Sequence, residues 1–353
     1  MKAIDAYPPA SDLPAIPGLR FRHLHAPEDF PAMNEVANAT RLDEGSPFIT
    51  TVEELANHYA HLTNCDLERD AFVVEIEGRL VGYARTGWYD TYEGARIHEV
   101  ICFLEPAWRR RGIGRAMLRT LEARVRELEG EAQAPRGAPL GEVGAAGPAG
   151  SSARFLQSDA EGHDAGREAL LLSEGFVPVR YNFLMVRPDL EDQHDAPLPD
   201  GLEIREVRPE HLRAIWEADQ EAFRDHWGMG AYSEADYQEF LNDPMTNDST
   251  LWRIAWDGEQ VAGQVRSFIN EQENRTYGRK RGWVESISVR RPWRHRGLAR
   301  ALIAASFPLL RARGMTEGAL GVDTENPSGA LGVYQSMGFR PVSKDTTYRK
   351  PLG

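Results

Sequence analysis

The stretch Trp293-Arg294-His295-Arg296-Gly297-Leu298-Ala299 decides how this chain folds. It lies between an apolar, β-branched run at 283–289 and a helix-patterned run at 300–312, so the local order is strand, tight turn, helix. The turn is basic, and its glycine stands where the helix begins. A helix start presents N–H groups without intrahelical partners and a partial positive charge. Arg294 and Arg296 add full charges, and Gly297 lets backbone approach a ligand closely. Together these features describe an anion cradle suited to a pyrophosphate.

The stretch occurs twice. Trp108-Arg109-Arg110-Arg111-Gly112-Ile113-Gly114-Arg115-Ala116 precedes it at a constant offset of 185 residues. The strand before it (100–104) and the helix after it (117–128) match in type. A lone R-x-x-G-x-[GA] fixes only three positions; two copies in one strand–loop–helix context carry far more weight than two ordinary Arg-rich helix caps.

The 353 residues suffice for two domains with ample cores. The formal net charge of −13 argues against nucleic acid or an anionic membrane as main partner. The two cysteines, Cys65 and Cys102, have no metal-type spacing, which fits a reducing cytoplasm and no metal. Residues 1–18 lack a signal-peptide core and read as a flexible leader. The longest apolar run, 301–310, contains Pro308 and is too short to span a bilayer.

Each half reads β, helices, β-hairpin, β, cradle, α, β, α, β. In the first half a strand at 19–22 precedes helices at 28–39 and 52–62, the latter opened by a Thr51–Glu54 capping box. A hairpin turns at Glu77-Gly78 and, in the second half, at Asp257-Gly258. Residues 270–282 read as a polar loop. Asn326-Pro327 reads as a helix start, and Gly338 as its end. From Gly112 to Gly175 the spacing is 63, and from Gly297 to Gly338 it is 41. The difference of 22 is close to the length of the Gly/Ala/Pro-rich stretch 130–152, which therefore reads as a surface insertion. The acidic, Pro-containing stretch 188–200 reads as a linker between domains at 19–187 and 201–353.

This order and these motifs resemble the GNAT superfamily of acetyl-CoA-dependent acetyltransferases, in tandem. Arg294-x-x-Gly297-x-Ala299 and Arg109-x-x-Gly112-x-Gly114 resemble the family's pyrophosphate loop; Asn326, Ala330, Tyr334 and Gly338-Phe339 resemble its second motif. The ending, 334–339 with 343–348, looks like the C-terminal half of mycothiol synthases. The resemblance implies an α/β (α+β) fold of two tandem domains, each with a mixed, largely antiparallel central sheet flanked by helices.

It also implies acetyl-CoA as co-substrate. The backbone of Arg294, His295, Arg296, Gly297, Leu298 and Ala299 would take the pyrophosphate, Ile287, Ser288 and Val289 the pantetheine, and Asn326 would sit beside it, or serve as a plain N-cap. Arg109, Arg110, Arg111, Gly112, Ile113 and Gly114 would form a second cradle. Tyr334, one turn before Gly338, would aim its hydroxyl at the sulfur. Unperturbed Tyr titrates near ~10 and a thiol near ~8.5, so it would hydrogen-bond the sulfur and pass its proton as charge develops. Glu285, on a strand face with apolar Trp283, Ile287 and Val289, reads as the base or as half of an ion pair with one of Arg279, Lys280 and Arg281. His226 is an alternative base or a capped surface histidine. Trp227, Trp252 and Tyr277 read as acceptor-pocket or core aromatics.

The first half departs from this pattern. Counting back from Gly175-Phe176 puts Leu171 at the Tyr position and His163 at the Asn position, and the offset of 185 puts Val100 opposite Glu285. The expectation is an N-acetyltransferase acting on a primary amine of a small molecule from residues 201–353, monomeric or homodimeric, with a non-catalytic first domain. The alternative is an acyl-CoA-binding sensor, which has no need of Tyr334 and Glu285. A nucleotide-binding α/β protein lacks support, because the P-loop lysine and G-x-G-x-x-G are absent.

Overall fold

The computed structural model describes residues 7–9, 13–133, 153–162, 164–191, 196–326 and 328–352. They fall into two compact units, one of residues 1–179 with 347–353 and the other of residues 180–346.

The first unit contains β1 (Leu19–His23), α1 (Phe30–Glu44), α2 (Val52–His61), α3 (Leu67–Asp70), β2 (Ala71–Ile76), β3 (Arg79–Asp90), β4 (Ala95–Leu104), α4 (Ile113–Gln133), β5 (Ala153–Ala160), α5 (Ala165–Ser173) and the start of β6 (Val177–Arg187). Its strands run β1-β2-β3-β4-β5, antiparallel except for the parallel β4–β5 pair. The predicted capping box opens α2, with Thr51 accepting from Glu54 N–H and Glu54 from Thr51 N–H. Both residues of the Glu77-Gly78 turn have positive φ, as a two-residue hairpin of the I′ kind requires.

The second unit contains the rest of β6, β7 (Glu203–Arg205), α6 (Leu212–Phe223), α7 (Glu234–Asn242), β8 (Trp252–Asp257), β9 (Gln260–Phe268), α8 (Glu271–Tyr277), β10 (Arg281–Val289), α9 (Leu298–Ala312), β11 (Glu317–Asp323), α10 (Ala330–Ser336) and most of β12 (Arg340–Pro351). Its order is β6-β11-β10-β9-β8-β7, with β10–β11 the parallel pair. Each unit is thus a mixed, largely antiparallel sheet with helices. Helix α9 buries Leu298, Leu302, Ile303 and Leu310 against Val265, Val284 and Leu320 of the sheet. Pro308 lies inside this helix without ending it.

The division of the chain differs from a cut at a linker. The boundary falls inside β6 and β12, so each unit takes a terminal strand segment from the other half of the sequence. Residues 182–187 pair with β11, and Thr347, Arg349 and Leu352 bond to Asp159, Gln157 and Arg154 of β5. The described part of 188–200 belongs to the second unit, where Leu190 is buried and Leu198 packs on the core. Hydrophobic pattern identifies strands but not their partners, so the exchange was invisible in sequence.

Other readings change as well. The leader is not wholly flexible: Tyr7 is buried, stacks near Phe72, and bonds through its N–H to Phe21 and its hydroxyl to Arg69. Of the insertion at 130–152, α4 takes the residues up to Gln133, and 134–152 lie outside the described residues. The polar loop contains α8, capped by Asn270. Helix α10 starts at Ala330 after Gly329, and Asn326 instead closes a turn by accepting from Ser328. Pro327 and His163 lie outside the described residues.

Candidate active site

The two cradles have the same backbone. Arg110 and His295 both have φ +61°, and Gly112 and Gly297 have φ +89° and +85°. Left-handed residues alternating with ordinary ones turn successive N–H groups to one side, which makes an anion nest at the helix start. The helix that follows leaves the N–H groups of its first turn without helical partners.

The cradle arginines are tied down within the protein. Arg294 Nε donates to Val289 O (3.0 Å), Nη2 to Ala222 O (2.9 Å) and Nη1 to Asp225 (3.1 Å). Arg109 is likewise held by Asp43 and Glu44. These guanidiniums brace the loops, and the backbone is left to face an anion. Arg296 reaches Asp200 O at 3.3 Å.

In the second unit, β10 and β11 pair only from Arg281↔Glu317 to Trp283↔Ala319 and then part. On its other side β10 carries a bulge between Glu285 and Ser288, with Ser286 at φ +48°. An added residue bends a strand and re-aims its side chains. At the parting, Glu285 Oε1 accepts from Gly321 N–H at 2.7 Å, in the place a strand carbonyl would take. Below lies a cavity of about 700 Å³, lined by Glu285, Ile287, Val289, the loop residues Arg294, His295, Gly297, Leu298 and Ala299, and by Asn326 and Tyr334. His226, Asn182 and Asp323 line it too.

Burial pushes the Glu285 carboxyl up to about 7, although the N–H groups of Gly321 and Ser286 pull it down. Burial, and then the Glu285 carboxylate, push the Tyr334 phenol well above its usual value. Burial likewise holds the His226 imidazole below its ordinary range. The ion-pair reading of Glu285 is not realised: Arg279 pairs with Glu273 and Arg281 with Glu317. So the cavity joins a half-buried carboxyl that titrates near neutrality to a protonated phenol, beside an anion nest. That set can accept a proton from one group and give one to another.

Of the predicted residues, Tyr334, Glu285, Ile287, Ser288, Val289, Arg294, His295, Gly297, Leu298, Ala299 and Asn326 meet in this cavity; Arg296 is on the loop but off the lining. Trp252 belongs to a core cluster, and Trp227 lies under Arg180. Sequence reasoning missed Asn182, which reaches the cavity through the exchanged β6. It also missed Asp219, whose signal was an acid within the buried stripe Ile215, Ala218, Asp219, Ala222.

The first unit has the cradle without the opening. β4 pairs with β3 from Gly82 to Asp90 with no shift of register. Because only β10 bulges, Arg266↔Glu285 matches Arg85↔Ile101, so Ile101 rather than Val100 stands at the Glu285 position. Beyond the Glu99↔Gln157 pair, side chains fill the gap. Ser158 donates to Val100 O (2.9 Å), and Arg167 to Cys102 O (2.8 Å) and Ser158 Oγ (3.1 Å). The cavity there is about 400 Å³. A Cβ added to Gly112 would lie 3.4 Å from Pro14, whereas one on Gly297 meets nothing within 4 Å. Leu171 takes the Tyr334 place: Phe176 N–H bonds its carbonyl as Phe339 N–H bonds that of Tyr334.

Among the described residues no three His, Cys, Asp or Glu side chains gather to hold a metal, and no helix is long and apolar enough to cross a membrane.

The acetyltransferase (GNAT) family model matches residues 34–134 and 212–339. The mycothiol acetyltransferase of Salinispora arenicola is 28% identical over 277 residues, covering 78% of this chain and 79% of its own. That of Salinispora tropica is 29% identical over 275 residues, covering 77% and 78%. The solved GCN5-related N-acetyltransferase from Sphaerobacter thermophilus matches with a TM-score of 0.64 at 23% identity, over 96% of this chain and 97% of that one. A tandem GNAT protein from the clavulanic acid biosynthesis pathway has a TM-score of 0.64 at 18% identity, over 95% and 99%.

Proposed function

This chain belongs to the acetyltransferase (GNAT) family and is an acetyltransferase, and on that premise we propose that it moves an acetyl group from acetyl-CoA to a primary amine of a small molecule, at the cavity of the second unit. The observation that carries the reading is the meeting of Glu285, Tyr334 and the open cradle in one cavity. The pyrophosphate rests on the N–H groups from His295 to Ala299. The pantetheine follows Ile287 to Val289 where β10 has left β11. The charge and shape of that cradle fit the co-substrate: a Cβ-free Gly297 leaves the approach open.

Glu285 takes a proton from the ammonium, and the freed amine attacks the thioester carbonyl. The C–N bond forms, the C–S bond breaks, Tyr334 supplies a proton to the departing sulfur, and the second proton shed by the nitrogen as it becomes an amide restores the phenol. Holding the two reactants in line contributes up to roughly 7–11 kcal/mol in favourable cases. The first unit, lacking the bulge, the carboxyl and the phenol, does not catalyse. The relatives named as mycothiol acetyltransferases make a cysteinyl amino sugar the first acceptor to try.

The test is thiol release from acetyl-CoA across a panel of small amines that includes a cysteinyl amino sugar. Amine-dependent release with one-to-one acetylated product is expected. Tight acetyl-CoA binding with no release for any amine would reject the small-amine reading.

The assignment to one unit has its own check. Ala at Gly297 must adopt φ near +85°, which strains the loop that is to hold the pyrophosphate, so Gly297→Ala should raise the KM for acetyl-CoA about tenfold, equivalent to ~1.4 kcal/mol. Gly112→Ala should leave turnover within about twofold, since that cradle serves no reaction. Equal losses in steady-state kinetics would place catalysis in both units.

A further inference from the structure

Three arginines of the second unit, one of them lining the catalytic cavity, are each held by an aspartate. Arg294 pairs with Asp225, Arg180 with Asp323, and Arg266 with Asp219. The third matters most. Arg266 on β9 stands directly opposite Glu285 on β10, in a row that also contains Trp252 of β8. Directly opposite residues of an antiparallel pair share a face, with Cβ atoms roughly 4.5–5.5 Å apart, and opposite charges there normally pair. Here they do not. Arg266 Nη2 instead donates to Asp219 Oδ2 at 2.9 Å, and its guanidinium lies over the rings of Phe240 and Trp252.

Asp219 is fixed for this task. It sits in the buried stripe of α6, and its other oxygen accepts from Gln264 Nε2 at 2.7 Å. Gln264 is fully buried and also donates to Ile215 O. An acid placed among apolar residues in this way has little reason to be there except to hold its cation.

We propose that Asp219 is a positioning residue that draws Arg266 away from Glu285, so that the base keeps no cationic partner. The proposal rests on the reading of Glu285 as the base. The charged and titratable groups near Glu285 are Arg266, opposite it on β9, and Asp219 from α6, which holds that arginine; those lining the same cavity are His226, Asp323 from β11, Tyr334 from α10, Arg294 and His295 from the loop, and Arg300 from α9. Arg266 and Arg294 are tied to aspartates and Arg300 donates to Ser336 Oγ, while burial holds the His226 imidazole below its ordinary range. A guanidinium beside a carboxylate lowers its pKa by roughly 1–3. Arg266 released onto Glu285 would therefore make a weaker base.

The test titrates the carboxyl directly, in the full chain with ¹³C-labelled glutamate, the Glu285 signal being assigned by its loss in Glu285→Gln. Asp219→Asn keeps the shape of the side chain and removes its charge. The Glu285 midpoint should fall by at least about one pH unit in Asp219→Asn. It should return to the wild-type value in Asp219→Asn/Arg266→Gln, because no cation remains to be released. With acetyl-CoA and the best amine of the panel, Asp219→Asn should lower kcat about tenfold and move the acid limb of the rate profile to lower pH, with the KM for acetyl-CoA unchanged. The double variant should regain that loss, which a merely structural role for Asp219 would not allow.

An unmoved midpoint in Asp219→Asn overturns the proposal. So does a midpoint above the wild-type value in Asp219→Asn/Arg266→Gln, since Arg266 would then already act on Glu285; this pair of neutral residues decides the matter if Asp219→Asn alone does not fold. The parent reading fails separately: should Glu285→Gln keep full activity, Glu285 is not the base, whatever the titration shows.

Discussion

Glu285→Gln should lower kcat/KM for the amine by about 10²–10⁴-fold, the usual contribution of a positioned general base. The loss should depend on pH. In the native enzyme the carboxyl titrates at about 7, and only its ionised form accepts a proton, so kcat/KM rises as pH passes upward through that value. The Gln variant should show a flat, low profile across the same range. The same substitution should stabilise the fold at pH 8. An unfolded glutamate titrates near ~4.3, so between that value and about 7 the native chain holds a proton that the unfolded chain has lost. The stability this proton contributes is complete at low pH and disappears as pH rises through about 7. Gln carries no charge at any pH and should gain roughly 1–3 kcal/mol over wild type at pH 8. A Glu285 that is merely structural predicts the reverse, lower stability with full activity. Thermal unfolding and pH–rate profiles, run side by side on the two proteins, separate the cases.

Much of this site was legible in the chain, and the remainder was hidden for definable reasons. The two cradles were visible because their chemistry is local: a basic turn, a glycine at the helix start, and a strand and helix of fixed period on either side. Their matching φ values at Arg110 and His295 repay that reading. Tyr334 was found by the family pattern and Glu285 by its place on an apolar strand face, and both line one cavity. The bulge was not visible. One added residue between Glu285 and Ser288 changes no hydrophobic period, yet it opens β10 and moves the counterpart of Glu285 from Val100 to Ile101. The bracing role of Arg294 was not visible, because charge near a cradle suggests contact with an anion, and only tertiary packing brings Asp225 and two carbonyls to it. The exchange of strand segments within β6 and β12 was likewise beyond pattern reasoning, which identifies a strand without naming its neighbours. That is why Asn182, distant in sequence from every motif, was missed.

Tyr334→Phe should lower kcat by about 10²-fold while leaving the KM for acetyl-CoA nearly unchanged, since the hydroxyl acts on charge that exists only as the C–S bond breaks. The ring itself is structural: it is buried and packs edge-on to Phe339 at 6.4 Å between centroids. Phe keeps that contact, so thermal stability should stay close to wild type, and a loss of rate then reports on the oxygen alone. Burial and the neighbouring Glu285 hold the phenol protonated well into the alkaline range, the form a donor needs. A basic limb in the rate profile near pH 8–9 therefore does not come from Tyr334, and the Phe variant should retain any such limb. The two groups are also coupled, because a charged Glu285 raises the phenol's pKa and weakens it as an acid. In the proposed transfer Glu285 loses that charge on accepting the amine's proton, and Tyr334 becomes the better donor at the stage when the sulfur leaves. Residues that work in sequence on one reaction lose less together than the sum of their separate losses. The Glu285→Gln/Tyr334→Phe double variant should therefore fall well short of the product of the single losses in kcat. A full product would mean that each acts alone, and that no charge passes between them during the transfer.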